Sequence, residues 1–477
     1  MLWWTVAAVA AAGGGTLFQR PQFGSGMILQ RGHGTRVFGG NASAAVTVTV
    51  AVPGGATVTA TSPPPSNGSW LVALPAVSAA PSSVVTATDG SVTDTLDDVA
   101  WGEVLLCGGQ SNMGFGMCGA TVIPSGREHA PQTPTEALAA LPTTNPIRFF
   151  WQSGDHNGGA GSTVHGNVCR DPATLNTPQN STWFAVGPSN GGAASAVCLL
   201  TAQSLREALG GEVPVGAVES CVGGTPVAEW TPPNGVLYQA HIMPLLPMSF
   251  AAVLWDQGER DAKTTNTTFY STEFPALISG WRQHLQSPGL PFVYVELCHE
   301  LGAEEPKEAD FWQYGQRAAL KLPAVGFATT TDIDKSALHP PDKQDIAPRL
   351  ALEVRRLAWG ENVVARGPEL LSTTFDGGAS ELTVKLSNSS LVVTRGVVVP
   401  PPPEGCTNQT WGPAVTQVVR GVATPIPFRL EGDSIVARCT PGGVTAPVLI
   451  NGDAATCFVY SSSSGLPAPP LSLPCSA

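Results

Sequence analysis

The chain has 477 residues with 24 Lys plus Arg against 36 Asp plus Glu, a formal charge of -12. So acidic a balance lacks the field that would draw polyphosphate and argues against a nucleic-acid partner. The length suits two or three domains, each large enough for a core, and 13% charged residues beside 53 Gly and 43 Pro favours strands and turns over long surface helices.

Residues 1–15 read MLWWTVAAVAAAGGG, an apolar run ending in small residues that is expected to be a signal peptide, with a buried N-terminal strand as the alternative, and is too short to span a bilayer comfortably. Asn41, Asn67, Asn180, Asn266, Asn388 and Asn408 each begin an Asn-X-Ser/Thr triplet, the acceptor pattern for glycans. Ten cysteines, at 107, 118, 169, 198, 221, 298, 406, 439, 457 and 475, lack the paired spacing of a zinc site. A secreted chain, or one in a lysosomal or vacuolar lumen, would pair most of them as disulfides; a cytosolic chain would bury them reduced. No second apolar run is long enough to suggest an integral membrane segment.

Residues 16–100 alternate β-branched and small residues, as in Val46-Thr47-Val48-Thr49-Val50, with turn clusters such as 63–68 between runs, and predict an N-terminal β domain of sandwich type. From 101 to 360 short apolar strands alternate with helical patterns, the rhythm of an α/β parallel sheet. The strands are expected at Val104 to Cys107, Val215 to Glu219, Ala251 to Trp255, Phe292 to Leu297 and Val325 to Thr330. Helices are expected over Ala193 to Leu209 and Tyr270 to Gln286, with a last one placing Ile346, Leu350, Val354 and Leu357 on one packing face. Residues 361–477 return to β alternation, as in Leu382 to Leu386, and predict a C-terminal β domain with a Pro/Ser-rich tail that need not be ordered.

Crossover connections put reactive groups at the carboxyl ends of parallel strands, and four polar clusters fall there. VLLCGGQSNM carries an apolar strand into Gly108-Gly109 and then Gln110-Ser111-Asn112. A glycine turn at a strand end exposes a serine hydroxyl and brings its backbone N–H to the same space, a nucleophile with one oxyanion donor. The turn Ser220 to Pro226 offers the Gly223 amide, since glycine lets a backbone approach a carbonyl closely. The run Leu254 to Arg260 offers the Gln257 side-chain amide, a donor of a kind worth ~3–4 kcal/mol in such a site, beside Glu259 and Arg260. The stretch 332–344 holds Asp332, Asp334 and His339, and an imidazole can take the serine proton and return it to the leaving alcohol. Singly, each cluster also fits an ordinary turn or a salt-bridged loop.

Together GGQSNM, GGTP, WDQGE and LHPPDKQ, in that order, resemble the sialate O-acetylesterase family within the SGNH hydrolases. The resemblance implies an SGNH-type sheet flanked by helices and a serine esterase that removes O-acetyl groups from sugars through an acetyl-enzyme. It makes Ser111 the nucleophile, His339 the base, Gly223, Gln257 and the Ser111 amide the oxyanion hole, and Glu259 and Arg260 contacts for substrate or for Gln257. No metal or cofactor is implied. The family more often shows Asn or Ser where Arg260 stands. The family's acid, three residues before the histidine, is here Ser336, so Asp334 is the expected third member, with Asp332 or a Ser–His dyad as alternatives. O-acetylated sialic acid is the expected substrate. Acetylxylan or another acetylated polysaccharide is a second, and an inactive carbohydrate-binding protein a reading from another class.

Overall fold

The computed structural model describes residues 16–32, 34–120, 133–152, 182–264, 267–297, 311–333, 338–387, 391–395, 415–419, 422–439, 447–450, 457–461, 463–464 and 466–475. Its centre is an eight-stranded sheet, mostly parallel. In chain order the strands are β1 (Ile28–Gln30), β2 (Ala100–Gly109), β3 (Arg148–Trp151), β4 (Trp183–Ala185), β5 (Val215–Cys221), β6 (Ala252–Asp256), β7 (Phe292–Glu296) and β8 (Val325–Thr329). Their spatial order is β4-β3-β5-β2-β6-β7-β8, with β1 beside the start of β2. Only the β3–β4 pair is antiparallel.

β2 is buried along its whole length, which is why its sequence is a continuous apolar run rather than an alternation. Helices α1 (Ala196–Ala208) and α2 (Glu259–Thr264) are joined by α3 (Thr267–His284) and α4 (Ile346–Ala358). α4 turns Ile346, Leu350 and Val354 into the core and packs on α1, β7 and β8. A disulfide between Cys107 and Cys198 fastens β2 to α1. The chain leaves β2 toward β3 and β5 on one side and reaches β6, β7 and β8 on the other. β2 is therefore the strand at which the winding reverses, and the crevice past its carboxyl end is where open α/β sheets hold ligands.

The N-terminal strands form antiparallel sheets, a pair of Arg36–Gly39 with Trp70–Ala73 and a four-stranded sheet of Val58–Thr61, Thr47–Ala51, Val84–Thr88 and Thr93–Leu96. Val46, Val48 and Val50 point inward and are fully buried, as alternation requires. The segment is not separate from the central sheet, because Ile28 to Gln30 pair with Ala100 to Gly102. Beyond Glu361 lie further antiparallel sheets around a second apolar core that includes Leu382, Val384, Ile435 and Val448. Part of the expected loose tail is ordered. Leu471–Pro474 pairs with Pro447–Ile450, and Cys475 is bonded to Cys439, which pins a Pro-rich stretch that composition alone would leave free. Among the described residues no helix is long and apolar enough to cross a membrane.

Candidate active site

β2 ends at Gly109, whose φ is +142°. A Cβ there would stand 2.1 Å from the Asp256 carbonyl oxygen, so only glycine lets β2 and β6 run together to their ends. Gln110 N–H donates to that carbonyl at 2.9 Å, and Gly114 N–H to the Gln110 carbonyl at 2.9 Å. The resulting turn presents Ser111, 7% exposed, with its Oγ 2.8 Å from His339 Nε2. The pairs Cys221–Gly109 and Asp256–Gly109 set β5 and β6 on either side of this turn.

On the β5 side, Val222 N–H donates to the Gly109 carbonyl at 3.1 Å, which places half-buried Gly223 beside the serine turn. That loop is tied from below. Gln257 is fully buried and donates one amide hydrogen to the Thr225 carbonyl at 3.0 Å and the other to Asp261 Oδ2 at 2.6 Å. Tyr270 Oη donates to Gln257 Oε1 at 3.1 Å, and Asp261 also accepts from Val227 N–H at 2.9 Å. Burial pushes the Asp261 carboxyl up to about 6, against the pull of its Gln257 and Val227 hydrogen bonds. Both hydrogens of Gln257 thus hold the Gly223 loop, one directly at Thr225 and one through Asp261. The backbone amides of Ser111 and Gly223 make no hydrogen bond among the described residues.

Glu259 is 2% exposed and lies under the serine turn, where it accepts from Asn112 Nδ2. The same amide group donates to the Leu338 carbonyl at 3.0 Å, and Asn112 Oδ1 accepts from Lys343 Nζ at 2.7 Å. Lys343 is 1% exposed. Burial lowers its pKa while Asp256, Glu259 and Asp342 pull it back up. Asp256, buried at the end of β6, is pushed up to about 7 by burial and then by Glu259, with Lys343 opposing. Arg260 is exposed at the start of α2.

Asp334 lies outside the described residues. Asp332 is fully buried, with Arg349 donating to both its carboxylate oxygens at 2.7 and 2.9 Å and Tyr460 Oη donating at 2.7 Å. Its carboxylate anchors the loop after β8 and joins it to the C-terminal sheets. The Cys221 thiol is free and buried, and burial followed by the Glu219 charge raises its pKa well above the ordinary value, which removes it as a rival nucleophile.

Residues 184–345 match the family described as carbohydrate esterase, sialic acid-specific acetylesterase. The sialate O-acetylesterase of Homo sapiens is 29% identical over 397 residues, 72% of this chain and 71% of the relative. That of Rattus norvegicus is 27% identical over 452 residues, 73% and 77%. The crystal structure of a carbohydrate acetylesterase from Xanthomonas citri superposes with a TM-score of 0.73 at 26% identity, over 96% of this chain and 99% of that one. The resemblance to the sialate O-acetylesterase family is borne out. The chain is a carboxylic ester hydrolase with the fold of the carbohydrate esterases.

Of the residues singled out from the sequence, Ser111, His339 and the Gly223 turn come together at the end of β2, with Gln257 and Glu259 beneath them. Sequence reasoning passed over Asn112 and Lys343, although both stand inside the motifs GGQSNM and LHPPDKQ. The available signal was position alone, one residue after the serine and four after the histidine.

Proposed function

We propose that this hydrolase removes O-acetyl groups from sugar hydroxyls by a serine mechanism, with Ser111 as nucleophile, His339 as base and acid, and the Ser111 and Gly223 amides as the oxyanion hole. The observation that carries the reading is the 2.8 Å contact between Ser111 Oγ and His339 Nε2 at the strand where the sheet reverses. His339 takes the serine proton as Oγ attacks the acetyl carbonyl, and returns it to the departing sugar oxygen. Water activated by the same imidazole then hydrolyses the acetyl-enzyme. Asp334 remains the proposed third member, since Asp332 is occupied by Arg349. Gln257 serves the hole indirectly, by fixing the turn that carries Gly223.

O-acetylated sialic acid is the favoured substrate, in keeping with the matched family and the relatives' names. Its carboxylate calls for a guanidinium near the crevice. Arg260, exposed at the start of α2 and next in sequence to Glu259, is the proposed contact. The likeness over nearly the whole chain to a bacterial carbohydrate acetylesterase favours a second reading, an uncharged acetylated polysaccharide. Arg260→Ala separates them. Under the sialate reading KM rises about tenfold for acetylated sialic acid and stays put for acetylated xylose; equal KM values on both substrates would favour the polysaccharide. An exported, glycosylated chain is in keeping with the Cys107–Cys198 and Cys439–Cys475 disulfides and with exposed Asn41 and Asn67.

A further inference from the structure

His339 belongs to a loop that starts three strands away from Ser111, since β8 is separated from β2 by β6 and β7, a span of about 14 Å at the usual strand spacing. Between Thr329 at the end of β8 and Ile346 at the start of α4 the described residues carry no helix or strand. Something must hold the loop to the serine turn.

Three contacts do so, and they meet on one carboxamide. Asn112 follows Ser111 directly, Leu338 precedes His339 directly, and Asn112 donates to the Leu338 carbonyl at 3.0 Å. Its other amide hydrogen goes to Glu259. Its oxygen is held by the Lys343 ammonium at 2.7 Å, which also sits 5.2 Å from the centre of the Phe115 ring. Lys343 therefore reaches the serine turn from the far side of His339, and the loop is gripped both before and after the imidazole. An ammonium so deeply buried is costly by itself, and here the charges of Asp256, Glu259 and Asp342 and the Asn112 oxygen offset that cost. What the charge supplies is a fixed orientation for the Asn112 carboxamide.

We propose that Lys343, acting through Asn112, is a positioning residue that holds the histidine loop against the serine turn and keeps His339 aligned with Ser111. The proposal rests on the serine mechanism above. A misalignment of about 1 Å between reacting groups costs roughly a hundredfold in rate, so the effect belongs in kcat and in the reactivity of Ser111 rather than in substrate binding.

The test measures kcat and KM on p-nitrophenyl acetate, the rate of Ser111 phosphonylation by a fluorophosphonate, and thermal unfolding. The variants are Lys343→Met, Asn112→Ala and the double variant, beside Ser111→Ala. Expected are losses of about ten- to hundredfold in kcat and in phosphonylation for each single variant, with KM within about twofold and, for Lys343→Met, a lowered Tm because Asp256 and Glu259 lose a buried cation. The double variant falls no lower than the worse single, because both remove one link. Should Lys343→Met fail to fold, Lys343→Gln is read by the same outcomes. A Lys343 variant with parental kcat while Ser111→Ala is inactive overturns the proposal and leaves the serine mechanism standing, as do additive losses in the double variant. A Ser111→Ala enzyme as active as its parent overturns the mechanism itself.

Discussion

Gln257 and Thr225 are joined by a 3.0 Å hydrogen bond from the side-chain amide of one to the backbone carbonyl of the other, and through it β6 fixes the loop that follows β5. Gln257→Ala is expected to lower kcat by about ten- to hundredfold through displacement of the Gly223 amide. It should also lower stability by about 1–3 kcal/mol, because Asp261 and Tyr270 each lose a buried partner. Steady-state kinetics and denaturant unfolding check both; a rate loss with unchanged stability would instead point to a direct oxyanion contact.

Gly109→Ala should fail more severely. Its Cβ would overlap the Asp256 carbonyl at 2.1 Å in a backbone region that side chains rarely adopt. The expected outcome is a loss of more than about 3 kcal/mol and of measurable esterase activity. Expression yield with thermal unfolding of the variant is the check, and a Tm equal to the parent's would contradict the described packing.

Asp332 and Arg349 form a buried ion pair reinforced by Tyr460. Asp332→Asn leaves the guanidinium buried with a weakened partner and is expected to cost about 3–5 kcal/mol. Tyr460→Phe removes one hydrogen bond to a charged group and should cost about 1.5–3 kcal/mol. Equilibrium unfolding of the two variants would show the order reversed if the C-terminal contact, and not the ion pair, were what holds this loop.

Asp256 has its carboxyl raised to about 7 by burial, then by Glu259. Between the unfolded value near 4 and 7 the native state holds a proton that the unfolded chain has lost, so this group makes stability fall as pH rises across that window. Asp256→Asn removes the dependence. The variant should gain on the parent by about 1–2 kcal/mol between pH 5 and pH 7, measured by urea unfolding at both pH values; a constant gap would mean the carboxyl titrates in its ordinary range.

The central sheet was legible because its strands are buried on both faces and read as apolar runs between glycine-rich turns, as at Val104 to Gly109 and Ala252 to Asp256. Arg148–Trp151 and Trp183–Ala185 were missed, being short aromatic pieces without a helix pattern beside them. Ser111 and His339 were legible as the polar residues just beyond strand ends. Gln257 was read as an oxyanion donor and Glu259 as a contact for substrate or for Gln257, since sequence gives the strand end but not the depth of each side chain below the crevice. Lys343 was invisible for the same reason, since a lysine before a helix reads as solvated until its neighbours are known. The ordering of the tail depended on the Cys439–Cys475 pairing, which spacing does not determine.

The proposed serine mechanism requires Ser111 to carry the acetyl group. Acid quench of the enzyme during turnover of an acetyl ester, followed by proteolysis and mass spectrometry, should find the mass of one acetyl group on the peptide containing Ser111, and none in Ser111→Ala. Acetyl on another residue, or full turnover by Ser111→Ala, would contradict it.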